Sequence, residues 1–403
     1  MSKMKIIQGG VTAPASFKAS GVSCGIKASE KKDLAVILSE VPATTSAVFT
    51  TNKMAAAPVR FSRCNARNGI CRAVVINSGN ANACTGLKGE EDAFEMIDKT
   101  AEALSIHPQD VIVASTGVIG VPLPMDKVEK GIVDAISLLS KEGHTDAAEA
   151  IMTTDTYSKE IAVQFEFRGK TVTIGGMAKG SGMIAPNMAT MLAFLTTDIN
   201  ICRTCLRASL TEAVNKSFNM ITVDGETSTN DMVAVLASGK AGNEKLILGD
   251  DDYNVFQKAL NYVATELAKM IVKDGEGTTK FIEIDIKGAK TGKDAKKVAM
   301  VIANSNLVKT AFFGEDANWG RIISALGHSG TEIDPETVDI YFDDVQIVKN
   351  SIALSFDENK VNEILKNDEI RVIVDLNIGD GKAKVWTCDL SYDYVKINAS
   401  YRT

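Results

Sequence analysis

Apolar residues recur along the chain with two periods, one typical of helices and one typical of strands. Apolar spacings of three and four residues predict helices over 90–104, 124–139, 203–217, 252–273 and 296–313. Alternating or short continuous apolar runs predict strands over 73–76, 110–115, 159–167, 170–177, 191–195, 231–238, 280–288, 337–344, 369–379 and 383–391. Arg168-Gly169 separates the third and fourth of these strands, a pattern typical of a hairpin.

The predicted strands are too numerous for a doubly wound parallel sheet, and the helices come in groups instead of alternating strictly with strands. This order favours an α+β or layered α/β fold, with antiparallel strand pairs and helices packed on the sheet faces. No repeat of solenoid period and no low-complexity linker divides the chain. The 403 residues leave room for about two or three domains.

Composition narrows the functional classes. Hydrophobic residues make up 45% of the chain and charged residues 24%, which is ordinary for a globular protein. The net charge of −7 argues against a nucleic-acid partner. No apolar stretch reaches the length of a membrane span, and the N-terminal residues lack the apolar run of a secretory signal. We therefore expect a cytoplasmic protein without a membrane partner.

Seven cysteines are spread over the chain, an odd number that does not suggest a disulfide framework. Cys202 and Cys205 have the CxxC spacing of metal sites, but no second pair and no nearby histidine accompanies them. We predict structural roles for the thiols and no metal site.

One hydroxyl in the middle of the chain raises a chemical question. Thr190 opens an apolar run in "APNMATMLAF" and follows the glycine-rich "KGSGMI". If the peptide bond between Ala189 and Thr190 were cut, the new α-amino group could take the proton of the Thr190 hydroxyl and make it a nucleophile. The same hydroxyl could perform the cut by attacking the Ala189 carbonyl. A plain strand with one tolerated threonine is the more common outcome for such a pattern.

Three further stretches offer partners for that hydroxyl. Thr116 and Gly117 follow a predicted buried strand, where a hydroxyl and a backbone N–H could stabilise an oxyanion. Lys179, together with Thr153 in "TTDT", could hold a substrate carboxylate. Glu276 stands between two glycines in "KDGEGTTK" and could approach a ligand amine. Each stretch taken alone is more often a simple turn or a solvated surface. The glycine pairs in "NIGDGKAKV" and "KGSGM" lack phosphate-binding spacing.

Taken together, these stretches resemble one family from the N-terminal region to the last residue. "KGSGMIAPNMATMLAFLTTD", "NSGNANACTG", "VIVASTGVIG", "DGETSTND", "KDGEGTTKFIEI", "GEDANWGRI" and "INASYRT" are similar to the arginine-biosynthesis ornithine acetyltransferases, or glutamate N-acetyltransferases. The resemblance implies an αββα sandwich, layered like N-terminal-nucleophile hydrolases but connected differently, with a second, smaller α/β lobe. It also implies a precursor that cleaves itself into an α chain, 1–189, and a β chain, 190–403.

The resemblance further implies the roles of individual residues. Thr190 would be the nucleophile, while Thr116 and Gly117 would form the oxyanion hole. The substrate-binding positions would be Thr153, Lys179, Thr190, Glu276, Asn398 and Thr403. From charge alone, we assign Lys179 to carboxylate recognition and Glu276 to the side-chain amine of ornithine.

The implied reaction moves an acetyl group from N2-acetyl-L-ornithine to L-glutamate through an acetyl-Thr190 ester, in a ping-pong cycle. No cofactor is expected, although the sequence leaves acetyl-CoA open as a second acetyl donor. The family precedent implies an assembly of two α and two β chains. Two alternatives remain at this point: a self-cleaving amidohydrolase or aminopeptidase that passes the acyl group to water, and a non-catalytic interaction protein whose chain stays uncut.

Overall fold

The protein is described by a computed structural model over residues 4–185 and 191–400. Its strands are β1 (Lys5–Ile7), β2 (Phe17–Val22), β3 (Leu34–Phe49), β4 (Ile70–Asn80), β5 (Val111–Val118), β6 (Lys159–Phe167), β7 (Lys170–Lys179), β8 (Leu192–Thr197), β9 (Met232–Ala237), β10 (Phe281–Ala289), β11 (Asp339–Phe342), β12 (Val345–Lys349), β13 (Ile352–Ala353), β14 (Glu369–Asp375) and β15 (Gly381–Cys388). Its α-helices are α1 (Ala57–Ala66), α2 (Gly86–Leu104), α3 (Met125–Ser137), α4 (His144–Ala150), α5 (Arg203–Lys216), α6 (Tyr253–Lys273), α7 (Gly292–Ala303), α8 (Asn306–Phe313), α9 (Trp319–Gly327), α10 (Glu358–Lys366) and α11 (Tyr392–Ser400).

Strand β3 organises the first sheet, whose order is β1-β6-β7-β8-β9-β3-β4-β5 with β2 also paired to β3. The first half of β3 pairs with β2 and β4, and its second half pairs with β9. The register of β3 against β4 shifts between Leu38 and Ala43. The sheet therefore has two parts, β2 to β5 and β6 to β9, that share one long strand.

The buried side chains show that these two parts lie face to face. Because side chains alternate between the faces of a strand, each part has an inner and an outer apolar face. Ile37 and Val74 from one part and Phe194 from the other share the central core. The outer face of β6 to β9 packs on α5 and α6, and that of β3 to β5 packs on α2 and α3. This is the αββα sandwich expected from the resemblance.

A second, smaller lobe follows in the chain, and it confirms the remaining part of the predicted fold class. Its sheet has the order β13-β12-β11-β14-β10-β15 and encloses a separate core with α7, α8, α9 and α10. Strand β10 lies next to the edge strand β15, antiparallel to β15 and parallel to β14. No described helix has the length and apolarity needed to cross a membrane.

Some predicted bounds were wrong. The helix predicted over 296–313 is two helices, since Ser305 interrupts it and its hydroxyl accepts the Val308 N–H at the start of α8. The strand predicted over 110–115 continues through Thr116 and Gly117. The CxxC pair has a local structural role, as Cys202 Sγ accepts the Cys205 N–H at the start of α5.

Candidate active site

Strand β5 brings Thr116 and Gly117 to the edge of a pocket. The β4–β5 ladder is regular up to Gly79 and Gly117 and becomes irregular at Asn80, which pairs with both Thr116 and Val118. Gly117 has φ +134°, and a Cβ at this position would lie 2.3 Å from the carbonyl carbon of Gly79. Only glycine fits this crossing of two backbones. The predicted oxyanion pair therefore lies at an irregular strand end, where Gly117 has no room for a side chain.

Lys179, the last residue of β7, reaches Thr116 from the neighbouring part of the sandwich. Its Nζ donates to the Thr116 Oγ1 over 3.2 Å, and both residues are buried. Because an ammonium group has no acceptor, Thr116 must accept here, and its own O–H remains available to donate elsewhere. No acceptor for that hydrogen is found among the described residues. Burial lowers the pKa of Lys179, and the nearby Asp155 carboxylate opposes this shift.

A buried ion network holds the segments on which Thr153 and Lys179 lie. Lys159 is fully buried and donates to Asp155 Oδ1 over 2.7 Å and to Asp274 Oδ2 over 2.5 Å. Asp155 also accepts the N–H of Thr153 over 2.9 Å and that of Gly180 over 2.7 Å. Burial alone would raise the pKa of Asp155, but the Lys179 and Lys159 charges lower it to about 2.

Glu276 and Asn398 form the opposite wall. Asn398 Nδ2 donates to Glu276 Oε2 over 2.8 Å, and the Glu276 N–H donates to the Ser181 carbonyl over 3.0 Å. Gly182 makes room for this carboxylate, because a Cβ there would lie 2.3 Å from Glu276 Oε2. Asn398 lies on α11, so this C-terminal segment is an ordered helix that reaches back to the sandwich.

Two carboxylates anchor the chain on either side of 186–190. Asp224 accepts the N–H groups of Met183 and Ile184 over 2.7 and 2.9 Å. Asp231 Oδ1 accepts the N–H of Met191 over 3.0 Å, and its Oδ2 has no partner among the described residues. Burial raises the pKa of Asp231 well above its usual range. Both carboxylates come from "DGETSTND", a stretch used in the sequence analysis only for its resemblance.

The pocket bounded by these groups has a volume of about 700 Å³ including its open mouth. Six of the predicted site residues line it: Thr116, Gly117, Thr153, Lys179, Glu276 and Asn398. Three predicted residues, Ala189, Thr190 and Thr403, lie outside the described residues.

Sequence reasoning missed several residues of the wall, among them Asp224, Asn230 and Tyr394. Asn230 Nδ2 donates to the carbonyls of Ala81 and Ser115 over 2.6 and 2.9 Å, which fixes the strand just before Thr116. The Tyr394 hydroxyl donates to Asp224 Oδ2 over 3.2 Å. The only sequence signal for the first two was their place in "DGETSTND".

The arrangement suits acyl transfer between amines. A buried cation and a hydroxyl lie at one wall, where charge on a carbonyl oxygen could be stabilised. A carboxylate and an amide lie at the other wall, where they could bind a cationic or polar side chain. No group of three or more metal-binding side chains occurs among the described residues.

The comparisons with known proteins agree over nearly the whole chain. Residues 18–403 match the model of the ArgJ family. An arginine biosynthesis bifunctional protein ArgJ from Symbiobacterium thermophilum is 54% identical over 402 residues, which cover 99% of this chain and 100% of the relative. The protein of that name from Bacillus subtilis is 50% identical over 400 residues, with 98% of this chain and 97% of the relative covered.

A solved structure also matches. The crystal structure of the arginine biosynthesis bifunctional protein ArgJ from Bacillus halodurans is 49% identical, with a TM-score of 0.51. The match covers 52% of this chain and 98% of the crystallised one. With a family match over more than nine-tenths of its residues and full-length relatives at half identity, the chain belongs to the ArgJ family.

Proposed function

We propose that this protein transfers the acetyl group of N2-acetyl-L-ornithine to L-glutamate in arginine biosynthesis, through an acetyl ester on Thr190. One observation carries the proposal beyond the family match. The buried Lys179–Thr116 pair and the Glu276–Asn398 pair face one pocket, so a donor for an oxyanion and an acceptor for an amine share a single cavity. Ornithine and glutamate share an α-amino-acid framework, which allows one pocket to serve both.

The proposal includes self-cleavage between Ala189 and Thr190, giving an α chain of residues 1–189 and a β chain of residues 190–403. Two features support it. Asp224 and Asp231 hold the backbone just before and just after the segment that contains this bond. The crystallised Bacillus halodurans relative is a chain of roughly half this length, since nearly all of it aligns with 52% of this chain.

In the first half of the cycle, Thr190 Oγ attacks the acetyl carbonyl and its proton passes to the Thr190 α-amino group. The Thr116 hydroxyl and the Gly117 N–H donate to the oxyanion of the tetrahedral intermediate. The bond between the acetyl carbon and the ornithine nitrogen then breaks, and the α-ammonium group returns its proton to that nitrogen. Ornithine leaves, and the acetyl group remains on Thr190 as an ester.

In the second half, the neutral amine of L-glutamate attacks the ester carbonyl. The same oxyanion donors act again, the bond to Thr190 Oγ breaks, and the amine proton passes to that oxygen by way of the Thr190 amino group. N-acetyl-L-glutamate leaves. In the first half Glu276 binds the side-chain ammonium group of ornithine. Asn398 holds this carboxylate in place, because its Nδ2 donates to Glu276 Oε2 and to the Tyr394 carbonyl. Thr153 and Thr403 complete the substrate contacts.

The contact between Lys179 and Thr116 suggests a second role for Lys179. Carboxylate recognition was the role assigned from charge, but the hydrogen bond of its ammonium group to Thr116 places the charge beside the proposed oxyanion hole. We propose that Lys179 orients the Thr116 hydroxyl and adds positive potential where the oxyanion forms, whichever substrate group it also contacts.

The test is a product assay on the full-length protein. Wild-type protein with acetylornithine and glutamate should yield acetylglutamate and ornithine, with little free acetate by mass spectrometry. A denaturing gel should show two fragments, the second beginning at Thr190. Thr190→Ala should give one uncut, inactive chain. Acetate as the only acyl product would favour the amidohydrolase, and an active uncut chain would contradict the proposed nucleophile.

Two further measurements test the remaining parts of the proposal. The relatives are named bifunctional proteins, and we propose acetyl-CoA as a second donor, with no resident cofactor. Acetylglutamate formed from acetyl-CoA and glutamate would support that activity. We further propose two α and two β chains in a cytoplasmic assembly, which sedimentation of the processed protein would test.

A further inference from the structure

Asp155 lies between three segments that build the pocket, although it does not line the pocket itself. It belongs to the "TTDT" stretch and its carboxylate is fully buried. Asp155 Oδ2 accepts the N–H of Thr153, the pocket residue two positions earlier, over 2.9 Å. Its Oδ1 accepts the N–H of Gly180, the residue after Lys179, over 2.7 Å. One carboxylate thus fixes the backbone beside two proposed substrate contacts.

The same carboxylate is held in place by Lys159, which it shares with Asp274. Asp274 is in turn tied to the third segment of the pocket wall, because its carbonyl accepts from Ser181 Oγ over 2.5 Å and the Ser181 carbonyl accepts the Glu276 N–H. Asp155 and Asp274 are therefore both partners of one buried lysine. Asp155 also accepts the N–H next to Lys179, whereas Asp274 accepts the N–H of Thr156 over 3.0 Å.

The charges around Lys179 explain why this difference matters. Burial lowers the pKa of Lys179, and Asp155 is the strongest opposing influence. Asp231 and Glu276 act in the same direction as Asp155, whereas Lys159 and Lys27 act with burial. Asp274 is not among the main influences on Lys179. A lysine buried against Thr116 without sufficient negative charge nearby would lose its proton, and with it the ability to act as a cation.

We propose that Asp155 is a positioning residue for the reaction: it fixes Thr153 and Gly180 around the pocket and keeps the Lys179 side chain a cation against Thr116. This inference rests on the proposed function, because it assigns a task to Lys179 in acetyl transfer. Asp155 touches no reacting atom. It acts through the two backbone N–H groups that it accepts and through its charge.

The test compares Asp155→Asn with Asp274→Asn. Each change removes one carboxylate partner of Lys159, so both should lower the melting temperature. Only Asp155→Asn removes the charge that favours the Lys179 ammonium form. The alkaline limb of kcat against pH should therefore move to lower pH by about one unit in Asp155→Asn, and kcat at alkaline pH should fall more than KM changes. Asp274→Asn should keep the wild-type limb.

An alkaline limb that stays in place in soluble Asp155→Asn, or that moves equally in Asp274→Asn, would overturn the proposal and leave Asp155 a structural carboxylate. If Asp155→Asn is insoluble, Asp155→Glu decides, because it keeps the charge but displaces the carboxylate that accepts the Thr153 and Gly180 N–H groups. Its kcat should fall while the alkaline limb stays near the wild-type position, and an unchanged kcat would contradict the proposal. Wild-type protein that releases only acetate would refute the proposed function instead, and the variants would then be compared by their rates of acetate release.

Discussion

Two buried lysine–threonine pairs, one in each lobe, show what separates a structural contact from a functional one. In the small lobe, Lys309 Nζ donates to Thr387 Oγ1 over 3.1 Å and also to the Cys388 carbonyl. In the sandwich, Lys179 Nζ donates to Thr116 Oγ1 over 3.2 Å. All four residues are buried. The local chemistry of the two pairs is therefore nearly the same.

The difference lies in where the threonine hydrogen goes. The Thr387 hydroxyl donates to the Ala303 carbonyl over 3.2 Å, so every group of that pair is satisfied within the small lobe. The Thr116 hydroxyl faces a pocket and has no acceptor among the described residues. A buried donor without a partner is unfavourable. A site retains such a donor when a ligand or a transition state supplies the acceptor.

The charged surroundings of the two pairs also differ. Lys179 lies beside the network of Asp155, Lys159 and Asp274, whereas Lys309 is bound only by a hydroxyl, a carbonyl and the Cys388 sulfur among the described residues.

Breaking the ion network at Lys159 gives the largest expected effect on stability. Lys159→Met would remove the cation that two buried carboxylates share and should lower the free energy of unfolding by about 3–5 kcal/mol, measured by urea denaturation.

The matched control for Lys159→Met is Lys384→Met in the small lobe. Lys384 pairs with Glu283 over 2.7 Å, but its side chain is 43% exposed. Its loss should cost at most about 1 kcal/mol, as is usual for exposed ion pairs. Equal losses from the two changes would show that the buried network contributes no more than a surface pair.

The second prediction separates the two threonines. Thr116→Val keeps the shape of the side chain and removes the hydroxyl, so kcat should fall by about 10²–10³-fold, as for the loss of one oxyanion donor. Thr387→Val should leave kcat within about twofold of wild type but lower the free energy of unfolding by about 1–3 kcal/mol, since Lys309 and Ala303 lose a buried partner. Stopped assays and denaturant titrations of both variants measure the two quantities.

Thr116→Ser retains the hydroxyl and serves as the control, with activity expected to remain within about tenfold of wild type. If Thr116→Val were as active as Thr116→Ser, Thr116 would be a structural residue like Thr387 and the comparison would fail.

The local parts of the fold were predictable because their signals are local. The β6–β7 hairpin was found from its alternation and from Arg168-Gly169, and both turn residues have positive φ. Strand β3 was missed because Pro42 interrupts its pattern. The register shift from Leu38 to Ala43 spans this proline, where the ladder could not have continued in any case. Helix α11 was not predicted either, since nothing in its sequence shows that it returns to the sandwich.

The site was predictable only in part. Thr116, Gly117, Thr153, Lys179, Glu276 and Asn398 were named from their motifs, and the structure brings them to one pocket. Their connections could not be predicted, because they join residues far apart in the chain: Lys179 with Thr116, and Lys159 with Asp274. Charge alone assigned Lys179 to a carboxylate, whereas its position beside a threonine became visible only when β5 and β7 were placed in space.

The smallest predicted effect concerns stability in acid, and it should again differ between the sandwich and the small lobe. The pKa of Asp155 is lowered from 3.8 to about 2 in the folded protein. A carboxyl with a depressed folded pKa contributes stability above its unfolded pKa, and this contribution is lost as the pH falls through the folded value. The shift corresponds to about 2 kcal/mol. The difference in unfolding free energy between wild type and Asp155→Asn should therefore shrink by about that amount from pH 5 to pH 2.

The control is the difference in unfolding free energy between wild type and Thr387→Val, which involves no titrating group and should stay constant over the same pH range. A constant difference for Asp155→Asn would mean that the Lys159 and Lys179 charges do not hold this carboxyl ionised, and that the ion network does not distinguish the sandwich from the small lobe.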